Sequence, residues 1–229
     1  MKSKVVLNAL ALLFAAGAMA QDCTFFFPQT KGTQLVKKGY DAKGNLQSVM
    51  TYTVDEVKNI PSGLEVEADY VFKNSAGTVY DKGDLEAFCR DGEFFIEMKE
   101  TLSNPSFVST TQSDLAATEA VINYPSVSNA PSNNGDDMYF DDATIQIYSK
   151  KNRKDRKNVS IYDREYVTTE PAGTFDCTKV KYKIKSRSPK ETIEGYGYEW
   201  YAPNVGVVKN EQYNNNNQLQ YYTVLEVVK

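Results

Sequence analysis

The dominant pattern along the chain is an alternation of apolar and polar positions with a period of two, which is typical of strands with one packed and one wet face. From residue 64 to residue 72, apolar side chains occupy every even position, and acidic side chains occupy three of the odd ones. Residues 179–185 carry lysine at every odd position, with Val180, Tyr182 and Ile184 between them. The pattern predicts half-buried antiparallel strands.

Short segments rich in Gly, Asn, Asp and Pro separate these runs and supply the backbone conformations that tight turns need. Runs joined in this way predict an antiparallel meander. About eleven strands are expected: 33–40, 46–57, 64–73, 78–89, 93–99, 143–149, 158–169, 174–186, 191–201, 206–213 and 218–228.

Residues 100–142 interrupt the rhythm. Residues 114–121 favour a short helix that Ser113 could cap, and 123–142 favour a long loop rich in Ser, Asn, Pro and Gly. The interruption could also divide a five-strand half from a six-strand half. We expect an all-β fold with one or two short helices, in a single domain spanning 21–229.

The first twenty residues predict a secretory signal peptide. Lys2 and Lys4 precede an apolar run, and Ala18-Met19-Ala20 favours cleavage before Gln21. Loss of these two lysines changes the formal net charge from −4 to −6. The mature protein is therefore expected outside the cytoplasm, either periplasmic or secreted, and soluble after cleavage.

An exported protein folds where cysteines tend to pair. The three cysteines leave one unpaired, and we expect a Cys23–Cys89 bridge that would tie down a loose chain start, with Cys177 left over. Three reduced cysteines and a reactive Cys177 are the alternatives. Lipidation of Cys23 is disfavoured because Gln21 and Asp22 precede it.

Absence of histidine excludes a Ser-His-Asp triad, a Cys-His pair and a His-ligated metal. An acidic cluster at 133–142 could hold calcium but is typical of a solvated loop. Asp163 and Glu165 share a face with apolar residues, so they either point at the core as a glycosidase-like pair or turn outward at a bulge. No enzymatic activity, catalytic residue, metal or cofactor is predicted.

Residues 150–157 hold six basic residues and one acid. They predict a solvated hairpin tip, or a tip that docks on an anionic envelope surface such as lipid headgroups or lipopolysaccharide. The docking residues would be Lys150, Lys151, Arg153 and Lys154. Nucleic acid is not an expected partner, because the protein is exported and the patch has no interleaved aromatic residues.

Three segments carry a resemblance to a known family: 89–92 with the strand after it, 171–177 (Pro-Ala-Gly-Thr-Phe-Asp-Cys), and 199–203 (Glu-Trp-Tyr-Ala-Pro) through 206–211. Together they resemble the TapB-like family of exported proteins, which is similar to domains that resemble the LolA and LolB lipoprotein carriers. The resemblance covers most of the mature chain. It implies a strongly curved antiparallel sheet, or half-barrel, whose concave face can be covered by helix or loop, and it implies no catalytic residues. The acidic segment at 135–142 departs from the family pattern.

Tyrosine is unusually abundant, at 16 residues. Tyrosine suits a half-buried sheet, because its ring packs while its hydroxyl reaches water. A concave face lined by aromatic rings would instead hold an apolar or amphipathic ligand. The expected lining residues are Tyr70, Phe72, Phe94, Ile96, Tyr182, Ile184 and Tyr221. The predicted function is a non-enzymatic binding or carrier module for a lipid-like or amphipathic small molecule. The alternative is a structural or protein-interaction module with a filled core. The oligomeric state is left open.

Overall fold

The computed structural model describes residues 23–61, 63–90, 92–97, 121–124, 139–140, 143–147, 152–187 and 192–229. All regular structure within these ranges is β-strand, as the alternating pattern predicts. The strands are β1 (Gln34–Asp41), β2 (Leu46–Ile60), β3 (Gly63–Asn74), β4 (Val79–Arg90), β5 (Glu93–Glu97), β6 (Val121–Tyr124), β7 (Tyr139–Phe140), β8 (Ala143–Ile147), β9 (Asn152–Thr169), β10 (Gly173–Arg187), β11 (Thr192–Ala202), β12 (Gly206–Asn214) and β13 (Leu219–Val228).

All thirteen strands belong to one antiparallel sheet. Its order is β6-β5-β4-β3-β2-β1-β13-β12-β11-β10-β9-β7, and β8 also pairs with β9. Two meanders, one from each half of the chain, are therefore joined by the pairing of β1 with β13. Among the described residues β6 and β7 end this order at opposite edges, so the sheet is open.

The sheet is strongly curved, as the half-barrel expectation requires. Seven steps in the strand order separate β5 from β11, which would place them roughly 33 Å apart in a flat sheet. Phe26 nevertheless touches Phe94 of β5 and Tyr201 of β11, with ring-centroid distances of 5.7 and 5.6 Å. The sheet thus curls around the ring of Phe26.

Residues 23–33, here called the N-terminal strap, form the chain start that was expected to be loose. Instead, Phe25, Phe26 and Phe27 are all buried in the core. Cys23 forms the expected disulfide with Cys89, with a Cα–Cα distance of 6.1 Å. The disulfide therefore links the strap, with its three buried phenylalanine rings, to β4.

Backbone hydrogen bonds also hold the strap against β2 and against the turn between β11 and β12. The Asn204 N–H donates to the Phe25 carbonyl at 2.7 Å, and the Gly32 N–H donates to the Val54 carbonyl at 2.8 Å. Gly206 has φ 97°, and a Cβ there would lie 2.8 Å from the Phe26 carbonyl oxygen. The turn between β11 and β12 therefore needs glycine to let the strap pass.

The eleven predicted strands are present, although residues 98–99 and 148–149 of two of them lie outside the described residues, and three predictions need correction. The chain also forms β6 and β7, which fall where a helix end and a loop were expected. Residues 114–120 of the predicted helix lie outside the described residues, and Val121 begins β6. Residues 152–157, expected at a hairpin tip, instead belong to β9, where backbone pairing with both β8 and β10 holds them extended.

Candidate functional site

The concave face was the predicted ligand site, and its seven predicted residues lie together on the inner side of the sheet. All seven are buried, with exposed fractions from 0% for Phe72 to 6% for Ile184. Six of them belong to the main hydrophobic core, and Tyr221 lies beside Ser48 with its hydroxyl 2.9 Å from the serine Oγ. These side chains therefore pack in the interior of the structure.

The three tyrosines among the predicted lining residues lie across glycines of neighbouring strands. A Cβ at Gly197 would be 2.5 Å from the ring of Tyr182, and a Cβ at Gly39 would be 1.9 Å from the hydroxyl of Tyr221. Tyr70 covers Gly83 in the same way, with its ring 3.4 Å from the position of a Cβ. Each glycine thus leaves room for a tyrosine ring on the inner face, a pairing that also shields the glycine backbone.

The hydroxyls of these tyrosines point to polar groups inside the protein. Asn210 donates to the Tyr182 hydroxyl at 2.6 Å and to Glu199 at 3.2 Å, and the Tyr201 hydroxyl donates to Glu199 at 2.5 Å. Gln212 extends this network by donating to Asn210 at 3.3 Å. The network satisfies buried polar atoms, which would otherwise be costly to remove from water.

Sequence reasoning missed this network. Its signal was present, because Glu199, Asn210 and Gln212 occupy inward positions of β11 and β12 where the alternation calls for apolar residues.

The Tyr70 hydroxyl stays protonated, since burial, with a smaller contribution from Asp81, raises the pKa of Tyr70 well above its usual range. Hydroxyls of this kind remain hydrogen-bond donors at any physiological pH.

The outer face of β10–β12 carries lysines packed on aromatic rings. The Lys179 ammonium lies 4.6 Å from the ring centroid of Trp200 and 5.0 Å from that of Tyr198, and Lys209 lies 4.7 Å from Trp200. Trp200 is consequently only 3% exposed although it sits on the outer side. Cation–π contacts and the apolar lysine stems both stabilise this arrangement.

The two carboxylates that could have faced the core turn outward. Glu165 accepts a hydrogen bond from the Trp200 indole N–H and lies 3.4 Å from the Lys179 ammonium, while Asp163 is exposed. This agrees with the outward-turned interpretation. The two acids do not form an inward-facing pair of the kind a glycosidase uses.

Cys177 is buried and is not part of the disulfide. Burial raises the pKa of the Cys177 thiol to about 12. A nucleophilic cysteine needs the opposite shift, toward the thiolate. Its position in the core suits a small apolar side chain.

Only some of the predicted docking and acidic residues belong to the described part of the chain. Lys150 and Lys151 lie outside the described residues, as do Asp136, Asp137, Asp141 and Asp142 of the acidic segment, whereas Arg153 and Lys154 lie in β9. Within the described ranges no three His, Cys, Asp or Glu residues are grouped closely enough to hold a metal ion. The same part of the chain contains no helix long and apolar enough to span a membrane.

Comparison with known proteins adds the family. The DUF3108-like family model matches residues 30–225, which include every strand except the last residues of β13. The chain belongs to the DUF3108-like family. No curated protein matches it significantly.

Two crystal structures share the DUF3108-like chain's fold over almost its whole length. One, described as "a putative lipoprotein" from Parabacteroides distasonis, is 60% identical, with a TM-score of 0.81, and covers 91% of this chain and 100% of its own. The other, described as an exported protein with a YmcC-like fold from Bacteroides fragilis, is 42% identical, with a TM-score of 0.83, and covers 90% and 100%. This DUF3108-like protein is thus an exported protein. The likeness to TapB-like proteins and to LolA and LolB remains a prediction.

Proposed function

We propose that this protein is a non-enzymatic interaction module of the cell envelope, with a filled core and a binding surface on the outside of its sheet. The observation that carries the proposal is the burial of all seven side chains expected to line a ligand site. A ligand-binding concavity would leave part of such a lining accessible when no ligand is present.

The strap supports this proposal because it fills the concave side with protein. Phe25 and Phe26 pack edge-to-face on Phe94, and Phe27 packs on Tyr52, at centroid distances of 5.0, 5.7 and 6.3 Å. Contacts of this kind give the inner face a permanent apolar partner from its own chain. A lipid in the same place would have to displace these rings.

The non-enzymatic part of the proposal rests on the available chemistry. The sequence has no histidine, and the buried Cys177 thiol is held in its unreactive protonated form. Glu165 is engaged by Trp200 and Lys179 on the outer face. These groups act as structural partners of one another.

A carrier for an apolar or amphipathic ligand is the second candidate, and the buried polar network favours it. An apolar interior with a few fixed polar groups such as Glu199 and Asn210 is common in ligand sites. In this protein those groups bond to each other and to Tyr182 and Tyr201. We therefore rank the carrier second.

Release into the periplasm or medium, without a lipid anchor, completes the proposal. One relative is described as "a putative lipoprotein". A lipid on a cysteine is attached through the sulfur, and the Cys23 sulfur is bonded to Cys89. The disulfide and a lipid on Cys23 therefore exclude each other in one molecule.

Native mass spectrometry of the protein purified from its own envelope without detergent tests the proposal. We expect the mass of the polypeptide alone and no binding of fatty-acid probes. Changing Phe72→Glu separates the two candidates: a filled core should unfold, whereas a carrier should release its ligand and stay folded. Tyr166→Glu is the matched control, because Tyr166 is 77% exposed. A co-purified amphiphile that Phe72→Glu releases from a folded protein would replace our proposal with the carrier.

A further inference from the structure

Four lysines form a row on the outer face of β10. Lys179, Lys181, Lys183 and Lys185 alternate with buried Val180, Tyr182 and Ile184, so all four point away from the core. At the usual rise of a β-strand the row is about 20 Å long, with a charge about every 7 Å. A row of this kind is a linear array of positive charge.

Aromatic rings of β11 hold part of the row in place. Register pairs Lys179 with Trp200, Lys181 with Tyr198 and Lys183 with Tyr196. The Lys181 ammonium lies 5.3 Å from the centroid of Tyr196 and 5.6 Å from that of Tyr198. Ordering by these rings lowers the entropy that lysines lose on binding a partner.

Positive charge exceeds negative charge on this face, although the whole chain is acidic. On the outer face of β9–β11, five lysines stand against three acids among the described side chains: Lys157, Lys179, Lys181, Lys183 and Lys185 against Asp163, Glu165 and Glu194. The acids lie toward the ends of the row, where Glu165 pairs with Lys179 and Glu194 pairs with Lys185.

Backbone register brings a further lysine beside the row. Lys183 of β10 is directly opposite Lys157 of β9, and residues directly opposite each other in neighbouring strands share a face of the sheet. Lys157, which was expected at a hairpin tip, therefore lies on the same face as the lysine row.

We propose that this face binds a linear acidic glycan of the envelope along β10, which names the partner class for the interaction module and so rests on the proposed function. Carboxylate, sulfate or phosphate groups repeating along a polymer match charges repeating along a strand. A bilayer surface matches less well. Trp200, the largest ring of the face, is buried beneath lysine stems, so it cannot enter the headgroup region as interfacial aromatics do.

A heparin oligosaccharide is a suitable probe, since it is linear and carries both sulfate and carboxylate groups. At low ionic strength the wild-type protein should bind it, and binding should weaken as salt is added. The double variant Lys181→Gln/Lys183→Gln should bind about 25-fold more weakly, from a loss of about five-fold for each lysine. Lys73→Gln/Lys82→Gln is the matched control, since it removes two exposed lysines from β3 and β4.

Three outcomes would overturn the proposal: a wild-type protein that ignores heparin at low salt, equal losses in the two double variants, or binding to phosphatidylglycerol vesicles in preference to heparin. The last would identify a membrane as the partner. Circular dichroism and the thermal midpoint confirm that each variant is folded. A ligand found in the core by native mass spectrometry would refute the proposed function without changing this result, so the two failures are distinguishable.

Discussion

Truncating Phe26 to alanine tests whether the N-terminal strap holds the two meanders together. Phe26 is 3% exposed and makes edge-to-face contacts with Phe94 of β5 and Tyr201 of β11. A buried Phe→Ala change costs about 3–5 kcal/mol in lost burial and residual cavity. These two edge-to-face contacts, at about 0.5–1.5 kcal/mol each beyond area burial, favour the upper part of that range.

Equilibrium unfolding in urea, with the disulfide intact, measures the effect. The midpoint should fall while the slope with denaturant stays constant, because the same surface is exposed on unfolding. Tyr166→Ala is the control, and this exposed side chain should change the free energy of unfolding by less than about 0.5 kcal/mol. A loss below about 1 kcal/mol for Phe26→Ala would show that the strap adds little to the fold and that the curvature is set by the strands alone.

The remaining predictions concern the cysteines and one glycine. Non-reducing peptide mapping should yield one linked pair of peptides, containing Cys23 and Cys89, and a linked pair that includes Cys177 would contradict this assignment. Replacing both bridge cysteines with serine should lower the free energy of unfolding by about 4 kcal/mol for a loop of this length. Because burial raises the pKa of Cys177 to about 12, iodoacetamide at pH 8 should label it only in denaturant, and rapid native labelling would show an accessible thiolate. Gly197→Ala should lower the free energy of unfolding by about 1–3 kcal/mol, because the added Cβ overpacks against Tyr182. The loss should be smaller in a Tyr182→Leu background, and equal losses in both backgrounds would refute the contact.

Strand prediction succeeded because the sheet has one packed face along most of its length. In β3 and in residues 179–185 of β10 the inner positions are apolar and the outer positions are mainly charged, so the sequence itself shows a period of two. Turns were equally local, since Gly44, Gly77 and Gly92 have positive φ where the sequence placed reversals. Secondary structure that is fixed by neighbours in sequence could therefore be predicted.

Features fixed by distant contacts could not be predicted in this way. Asn152 to Lys157 has no apolar alternation, yet pairing with strands on both sides satisfies its backbone and makes it part of β9. Phe25, Phe26 and Phe27 are consecutive, and no strand pairing explains why all three are buried. Their burial follows from a strap that crosses the curved sheet, and curvature is a property of the assembled sheet.

The tyrosines allow the sequence-based interpretations to be compared with the positions of these side chains in the fold. Their abundance indicated either half-buried rings with hydroxyls in water or a lining for a ligand, and three of the predicted lining residues are buried beside polar groups of the protein. Tyr182 and Tyr221 lie across glycines and bond to Asn210 and Ser48 inside the protein, while Tyr70 lies across Gly83 beside Asp81. A ligand in this interior would have to break such bonds and leave buried polar atoms unpaired, at about 1–3 kcal/mol for each group. This cost is the physical reason that binding by this protein is expected on the outer face of the sheet.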